Sequence, residues 1–146
     1  MDVKFRIATF DDVEAIIALC NECFEENTSL DYAKEMFKKT ESDKNQIYIV
    51  GEIEGQIIAH AKITIIPTIY ENMNSYSILN HICVKPEYRR NNIGTKMINE
   101  CEKISKENNC VSMELWSKNF RQAAHECYKN YGFIVEDAKF FSKDIK

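Results

Sequence analysis

The chain has few of the residues that break structure: four glycines and two prolines in 146 positions. No Gly- or Pro-rich linker divides it, so a single domain spanning 1–146 is expected. No apolar run approaches the roughly 18 residues of a membrane span. The opening MDVKFRIATFDD carries acidic residues where a secretory signal would be basic. The expectation is a soluble, cytoplasmic protein with no membrane partner. Positive charge is not in excess either, with 19 Lys and Arg against 23 Asp and Glu, a net −4. That balance argues against a nucleic-acid partner. Cysteine is not scarce, at six. Cys20-x-x-Cys23, however, has no second CxxC or HxxxH to complete a zinc site, so no metal is expected. The six fall inside helix-like and strand-like patterns and read as small buried hydrophobes rather than disulfide partners.

What is present is an alternation of strand and helix patterns. VKFRI (3–7) alternates like a strand. Thr9 is placed to cap a helix whose first turn holds Asp11 and Asp12 and whose one face carries Val13, Ile16, Ile17, Cys20 and Phe24. A short second helix covers 31–40. Residues 46–66 read as two strands around Glu54-Gly55, a hairpin signal. A loop (67–75) leads to the mostly apolar strand 76–84, YSILNHICV. An amphipathic helix follows over 93–108, with Ile93, Met97, Ile98, Cys101 and Ile104 at helical spacing. A strand at 110–116, a helix at 119–131 and two closing strands in 133–145 complete the order βααβββαβαββ. This is a mixed α/β fold with one central sheet of six to seven strands and four helices. Strand 76–84 and strand 110–116 are expected to be parallel across their helix.

The junction between strand 76–84 and helix 93–108, KPEYRRNNIGTK, is where the chemistry concentrates. A helix start offers backbone N–H groups without intrahelical partners and the positive end of the helix dipole. Fed by a strand through a tight loop, these donors converge on a point suited to a phosphate. Arg89 and Arg90 add two cationic forks. Asn91 and Asn92 tolerate the left-handed backbone region, which turns successive N–H groups inward. Ile93, Gly94 and Thr95 open the helix, and Gly94 leaves room for close approach. Two better-known phosphate signatures are missing: there is no GxGxxG, and GTK at 94–96 is not the GK[ST] of a Walker A loop.

ICVKPEYRRNNIGTKMI resembles the acetyl-CoA-binding motif of the GNAT superfamily of acyl-CoA N-acyltransferases. Arg89 takes the Arg/Gln place of that pattern, Gly94 its second glycine, and Asn92 stands where the first glycine is expected. FRIATFDD at the start and NFRQAAHECYKNYGF near the end fall in the family's order. The resemblance implies a GNAT fold and acetyl-CoA as co-substrate. It places the pyrophosphate on the backbone of 89–95 and the pantetheine arm along Ile82, Cys83 and Val84, in a splay between strands 76–84 and 110–116. It also implies a contact from Asn119, which with Gln122 looks like a capping box.

Acetyl transfer to an amine needs a neutral amine, donors for the oxyanion and a proton for the departing thiolate. Tyr128, four residues before Gly132, matches the family tyrosine used as general acid; from spacing alone it reads as core. Glu114, five residues before Asn119, matches a glutamate used as base in some relatives, and reads equally as a solvated side chain. Other relatives carry a glutamate at the place of Asn80, beside His81, which titrates in a useful range. His60 and His125 have no distinguishing context. Glu22, Glu25, Glu26, Asp31 and Glu35 on the first two helices suit either a cationic acceptor or solubility. The reading is an N-acetyltransferase acting on a small-molecule or peptide amine by direct attack, as a monomer or homodimer. The rival is a CoA-binding regulatory or interaction module on the same fold.

Overall fold

A computed structural model describes residues 2–146. Its internal contacts fall into two units, one running to Trp116 and the other spanning Ser117–Lys146, and each is described by itself.

The first unit is an antiparallel meander extended by one parallel strand. Strands β1 (Lys4–Ile7), β2 (Gln46–Ile53), β3 (Gln56–Pro67), β4 (Ser75–Val84) and β5 (Cys110–Leu115) lie side by side in chain order. The first three pairings are antiparallel and β4–β5 is parallel. The β2–β3 hairpin turns at Glu54 and Gly55, both at positive φ (49° and 81°), as a two-residue turn matched to strand twist requires. Between β1 and β2 lie α1 (Val13–Phe24) and α2 (Leu30–Thr40); α3 (Ile93–Glu107) connects β4 to β5.

The periodicities place the core. Ile93, Met97, Ile98 and Cys101 of α3 are fully or almost fully buried, as are Ile49, Ile58, Ile63 and Leu79 of the sheet. A buried hydrogen bond between Ser77 and Ser105 hydroxyls, 2.8 Å, fixes α3 against β4. Thr9 and Asp12 cap the turn that opens α1, the Thr9 amide donating to Asp12 Oδ2 at 2.8 Å. Asp12 is also held by a two-pronged ion pair with Arg6, at 2.7 and 2.9 Å, and Arg6 reaches Glu52 at 3.3 Å. FRIATFDD is thus a polar clamp joining β1, β2 and the start of α1.

The second unit holds α4 (Gln122–Tyr131). Two expectations fail here. The closing strands over 133–145 are absent, so the described residues form a five-stranded sheet rather than one of six to seven. Alternating apolar residues license a strand, but only a ladder partner makes one, and the second unit by itself holds no strand. The helix also starts at Gln122 rather than 119. Turns from Arg121 to Lys118 and from Gln122 to Phe120 occupy the preceding backbone. Arg121 takes the cap position without a side-chain cap bond, so the Asn119–Gln122 capping box does not form. Gly132 ends α4 at φ 126°, its amide bonded to Tyr128 and Lys129 carbonyls.

Candidate active site

β4 contains two adjacent polar residues, Asn80 and His81, which break the alternation of a strand with period two. The ladder with β3 slips at this point: Lys62 faces Asn80 but His60 faces Cys83, leaving His81 and Ile82 opposite a single residue. His81 adopts φ 52°, the left-handed region, which costs a non-glycine residue of the order of 1–3 kcal/mol. This bulge reverses which side chains face which helix layer. Before it, Ser77 faces α3; after it, Cys83 joins the cluster of Cys20, Leu19 and Ile16 beneath α1. It also turns His81 toward the end of α1, where its Nε2 lies 3.0 Å from Glu26 Oε2 and its ring meets Phe24 edge-on.

On the opposite edge, β4 pairs with β5 only as far as Leu79↔Leu115. β5 ends at Leu115, so from Asn80 to Val84 the edge of β4 that faces away from β3 has no β5 ladder partner. Ile82, Cys83 and Val84 lie in this segment. The Val84 carbonyl takes a bond from Arg89 Nε at 3.0 Å.

The loop that follows is left-handed at Asn92, as expected, but at Arg90 in place of Asn91. Arg90 and Asn92 are left-handed, at φ 69° and 59°, on either side of Asn91. Asn91 Nδ2 bonds back to the Tyr88 and Arg89 carbonyls at 3.1 and 3.2 Å, holding the turn. The first bond of α3 runs from the Lys96 amide to the Asn92 carbonyl, so the amides of the turn before it project from the helix mouth. Ile93 is buried and anchors the turn, while Gly94 and Thr95 follow in the first turn of α3. The guanidinium of Arg89 folds back: besides Val84, its Nη2 lies 3.6 Å from Cys23 Sγ.

Between α1, α2 and the face of β3–β4 opens a cavity of about 220 Å³ whose polar lining includes Glu26, Thr28, Tyr32, Lys62, Asn80 and His81. Of Glu22, Glu25, Glu26, Asp31 and Glu35, it is Glu26, in the connection between α1 and α2, that borders this cavity. His60 also borders it but is 3% exposed, its Nδ1 bonded to the Ile49 carbonyl at 2.9 Å. A carbonyl only accepts, so Nδ1 carries the proton, and burial pushes this imidazole down to about 4. Glu114 is exposed on β5 and shares a sheet face with its ladder partner Ile78.

The second unit carries Tyr128 and Asn119. Tyr128 is half-buried on α4, its ring meeting Phe133 edge-on at 5.9 Å. Asn119 lies exposed in the turn before α4. Sequence reasoning missed the Glu26–His81 pair and the Arg89–Cys23 contact. The adjacent polar residues at 80–81 were a legible sign of the bulge; nothing local pointed to Arg89 turning inward.

Among the described residues no helix is long and apolar enough to cross a membrane, and no group of three or more His, Cys, Asp or Glu is arranged to hold a metal ion. The chain is 25% identical over 113 residues to streptothricin acetyltransferase A of Bacillus subtilis (strain 168), a match covering 71% of this chain and 62% of that relative's length. Its fold is similar to that of a transcriptional regulator from Bacillus halodurans C-125, with TM-score 0.90, 19% identity and coverage of 99% and 100% of the two chains. It is also similar to an acetyltransferase from Clostridium acetobutylicum solved with acetyl-CoA, with TM-score 0.80, 20% identity and coverage of 97% and 96%. The model of the acetyltransferase (GNAT) family matches residues 13–133, a span that takes in the bulged strand, the left-handed loop and the start of α3. The chain belongs to the acetyltransferase (GNAT) family.

Proposed function

We propose that the protein transfers the acetyl group of acetyl-CoA to a primary amine of a small molecule or peptide, by direct attack. The observation that carries this reading is the end of β4–β5 pairing at Leu79, directly before a loop with left-handed residues at Arg90 and Asn92. Both features fit the co-substrate. The β4 edge that lies beyond the end of β5, along Ile82, Cys83 and Val84, suits the amides of a pantetheine arm. The turn through Arg89, Arg90, Asn91, Asn92, Ile93, Gly94 and Thr95 suits a pyrophosphate. Asn119 is proposed as a further contact on the strength of the motif. When bound, acetyl-CoA supplies the activated acyl group; the chain's part is to position it, remove a proton from the amine and return one to sulfur.

The cavity beside Glu26 is the proposed acceptor site, and a carboxylate at its wall favours a cationic amine. The protonated amine cannot attack, since an alkylamine holds its proton to a pKa of roughly 10.4. His81 is better situated than Glu114 to accept it. It lines the cavity, is oriented by Glu26 at 3.0 Å, and is held in a strained backbone whose cost needs a reason. Glu114 remains the alternative base. Tyr128 is proposed as the donor to the leaving thiolate, on the motif. Streptothricin acetyltransferase A is named for a small-molecule substrate, which supports an acceptor of that kind here.

One observation favours the second reading, a CoA-binding module with little turnover: Asn80, which cannot take a proton, stands in the cavity lining. Purified protein with acetyl-CoA and a panel of diamines, amino sugars and peptides, followed by thiol release, separates the two. Acceptor-dependent release supports the enzyme. Binding of acetyl-CoA with no release from any amine supports the module, and no binding overturns both.

A further inference from the structure

α1 and β4 bring three sulfurs together. Cys20 and Cys83 are 4% and 6% exposed and belong to one buried cluster, with the half-buried Cys23 packed against it. Cys83 is within hydrogen-bonding reach of both other thiols, whereas of the two it is Cys83 that Cys23 meets. The bulge at His81 makes this contact possible, because an unbroken alternation would have aimed Cys83 at α3.

The three thiols are not equivalent. Cys23 Sγ is 3.6 Å from the Val84 carbonyl and 3.6 Å from Arg89 Nη2, so an anion on this sulfur is met by a guanidinium. A hydrogen bond from the Cys83 thiol, and then Arg89, lower its pKa to about 7, against an opposing push from burial and a small one from Glu22. The Cys83 thiol is driven up by its neighbours Cys20 and Cys23 and by burial. One half-buried, anion-stabilised sulfur beside one buried, protonated sulfur is the arrangement of an attacking and a resolving thiol.

We propose that Cys23 and Cys83 form a peroxide-sensitive modification site in which oxidised Cys23 is resolved by Cys83 into a disulfide tying α1 to β4. The Cys23 thiolate attacks a peroxide, forming an S–O bond as the O–O bond breaks; sulfur is oxidised, and one peroxide oxygen leaves as hydroxide. Cys83 sulfur then attacks the sulfenic sulfur. The S–S bond forms, the S–O bond breaks, and the Cys83 proton leaves with that oxygen as water. A dithiol reverses the link. Since Cys83 lies in the strand segment proposed for the pantetheine arm, an effect on acetyl-CoA rests on the functional reading above; the thiol chemistry does not.

The test is thiol mapping of the folded wild-type chain after hydrogen peroxide at pH 7, with alkylation and peptide mass analysis. The expected product is a Cys23–Cys83 linked peptide, absent from Cys23→Ser and removed by dithiothreitol, with Cys101 and Cys110 still alkylatable once the oxidised chain is denatured. Before oxidation, iodoacetamide should label Cys23 about tenfold or more faster than Cys110, whose thiol burial pushes up. Equal labelling of Cys23 and Cys110, a link between another pair, or over-oxidation of Cys23 without any link would overturn the proposal. Calorimetry with acetyl-CoA on reduced and oxidised protein reads the coupling, with binding expected about tenfold weaker after oxidation. Equal affinity overturns the coupling. A reduced protein that does not bind overturns the functional reading and leaves the mapping result intact.

Discussion

Asn92 offers the sharpest probe of the loop. Its backbone stands at φ 59°, ψ 19°, and its side chain makes no cap hydrogen bond. Replacing it therefore changes the backbone preference and little else. Glycine enters the left-handed region without steric cost, asparagine tolerates it, and a β-branched residue meets the following carbonyl, at about 1–2 kcal/mol. Asn92→Gly should leave acetyl-CoA binding intact or slightly tighter. Asn92→Val has two ways to absorb the strain. If the loop keeps its shape, the folded state loses about 1–2 kcal/mol, a shift of roughly 2–8 °C in Tm for a chain of this size. If the loop relaxes, its amides swing away from the helix mouth, stability is kept, and affinity falls roughly five- to thirtyfold. Thermal melts and calorimetric titration of the same three proteins distinguish the two routes. Arg90→Ala removes charge instead, so its defect should shrink at high salt while the valine defect persists. Gly and Val variants alike in both Tm and affinity would refute the account of this loop.

Burial holds His60 at about 4, below its ordinary 6.5, so the unfolded chain binds the extra proton between those values. This contribution is complete above pH 6.5 and falls away toward pH 4, by about 3 kcal/mol in all; denaturant curves of wild type and His60→Gln across that window should differ accordingly. Arg6 holds the Asp12 carboxyl below the usual range, so its contribution is present above the ordinary carboxylate pKa and lost as pH falls through the depressed one. Asp12→Asn should cost about 2 kcal/mol at pH 7 and progressively less in acid, by urea melts at several pH values. Tyr128→Phe should lower kcat roughly ten- to a thousandfold with little change in acetyl-CoA affinity if the hydroxyl serves the leaving thiolate; unchanged turnover would leave Tyr128 as packing against Phe133. His81→Gln should abolish the acidic limb of the kcat/KM profile while Glu114→Gln preserves it, and the reverse result would reassign the base.

Much of the frame follows from sequence alone, because local periodicity and turn chemistry decide it. The alternating and helical patterns fix four helices and the first five strands to within a few residues. Glu54-Gly55 dictates the hairpin, and Asn92 takes the left-handed backbone its type tolerates ahead of α3, whereas the second left-handed residue is Arg90 rather than Asn91. What only tertiary structure decided depends on partners distant in the chain. Alternation in 133–145 reads as strands, but a strand exists only in a ladder, and the second unit by itself supplies none. The slip opposite Lys62 and His60 is a relation between two strands, and from it follow the strained His81, its pairing with Glu26 and the reversal of Cys83. Six cysteines read one at a time are small hydrophobes. Folding sets Cys23 between Arg89, 66 positions onward, and the Cys83 thiol, and the physical reason it differs from the others is that proximity, which no local pattern encodes.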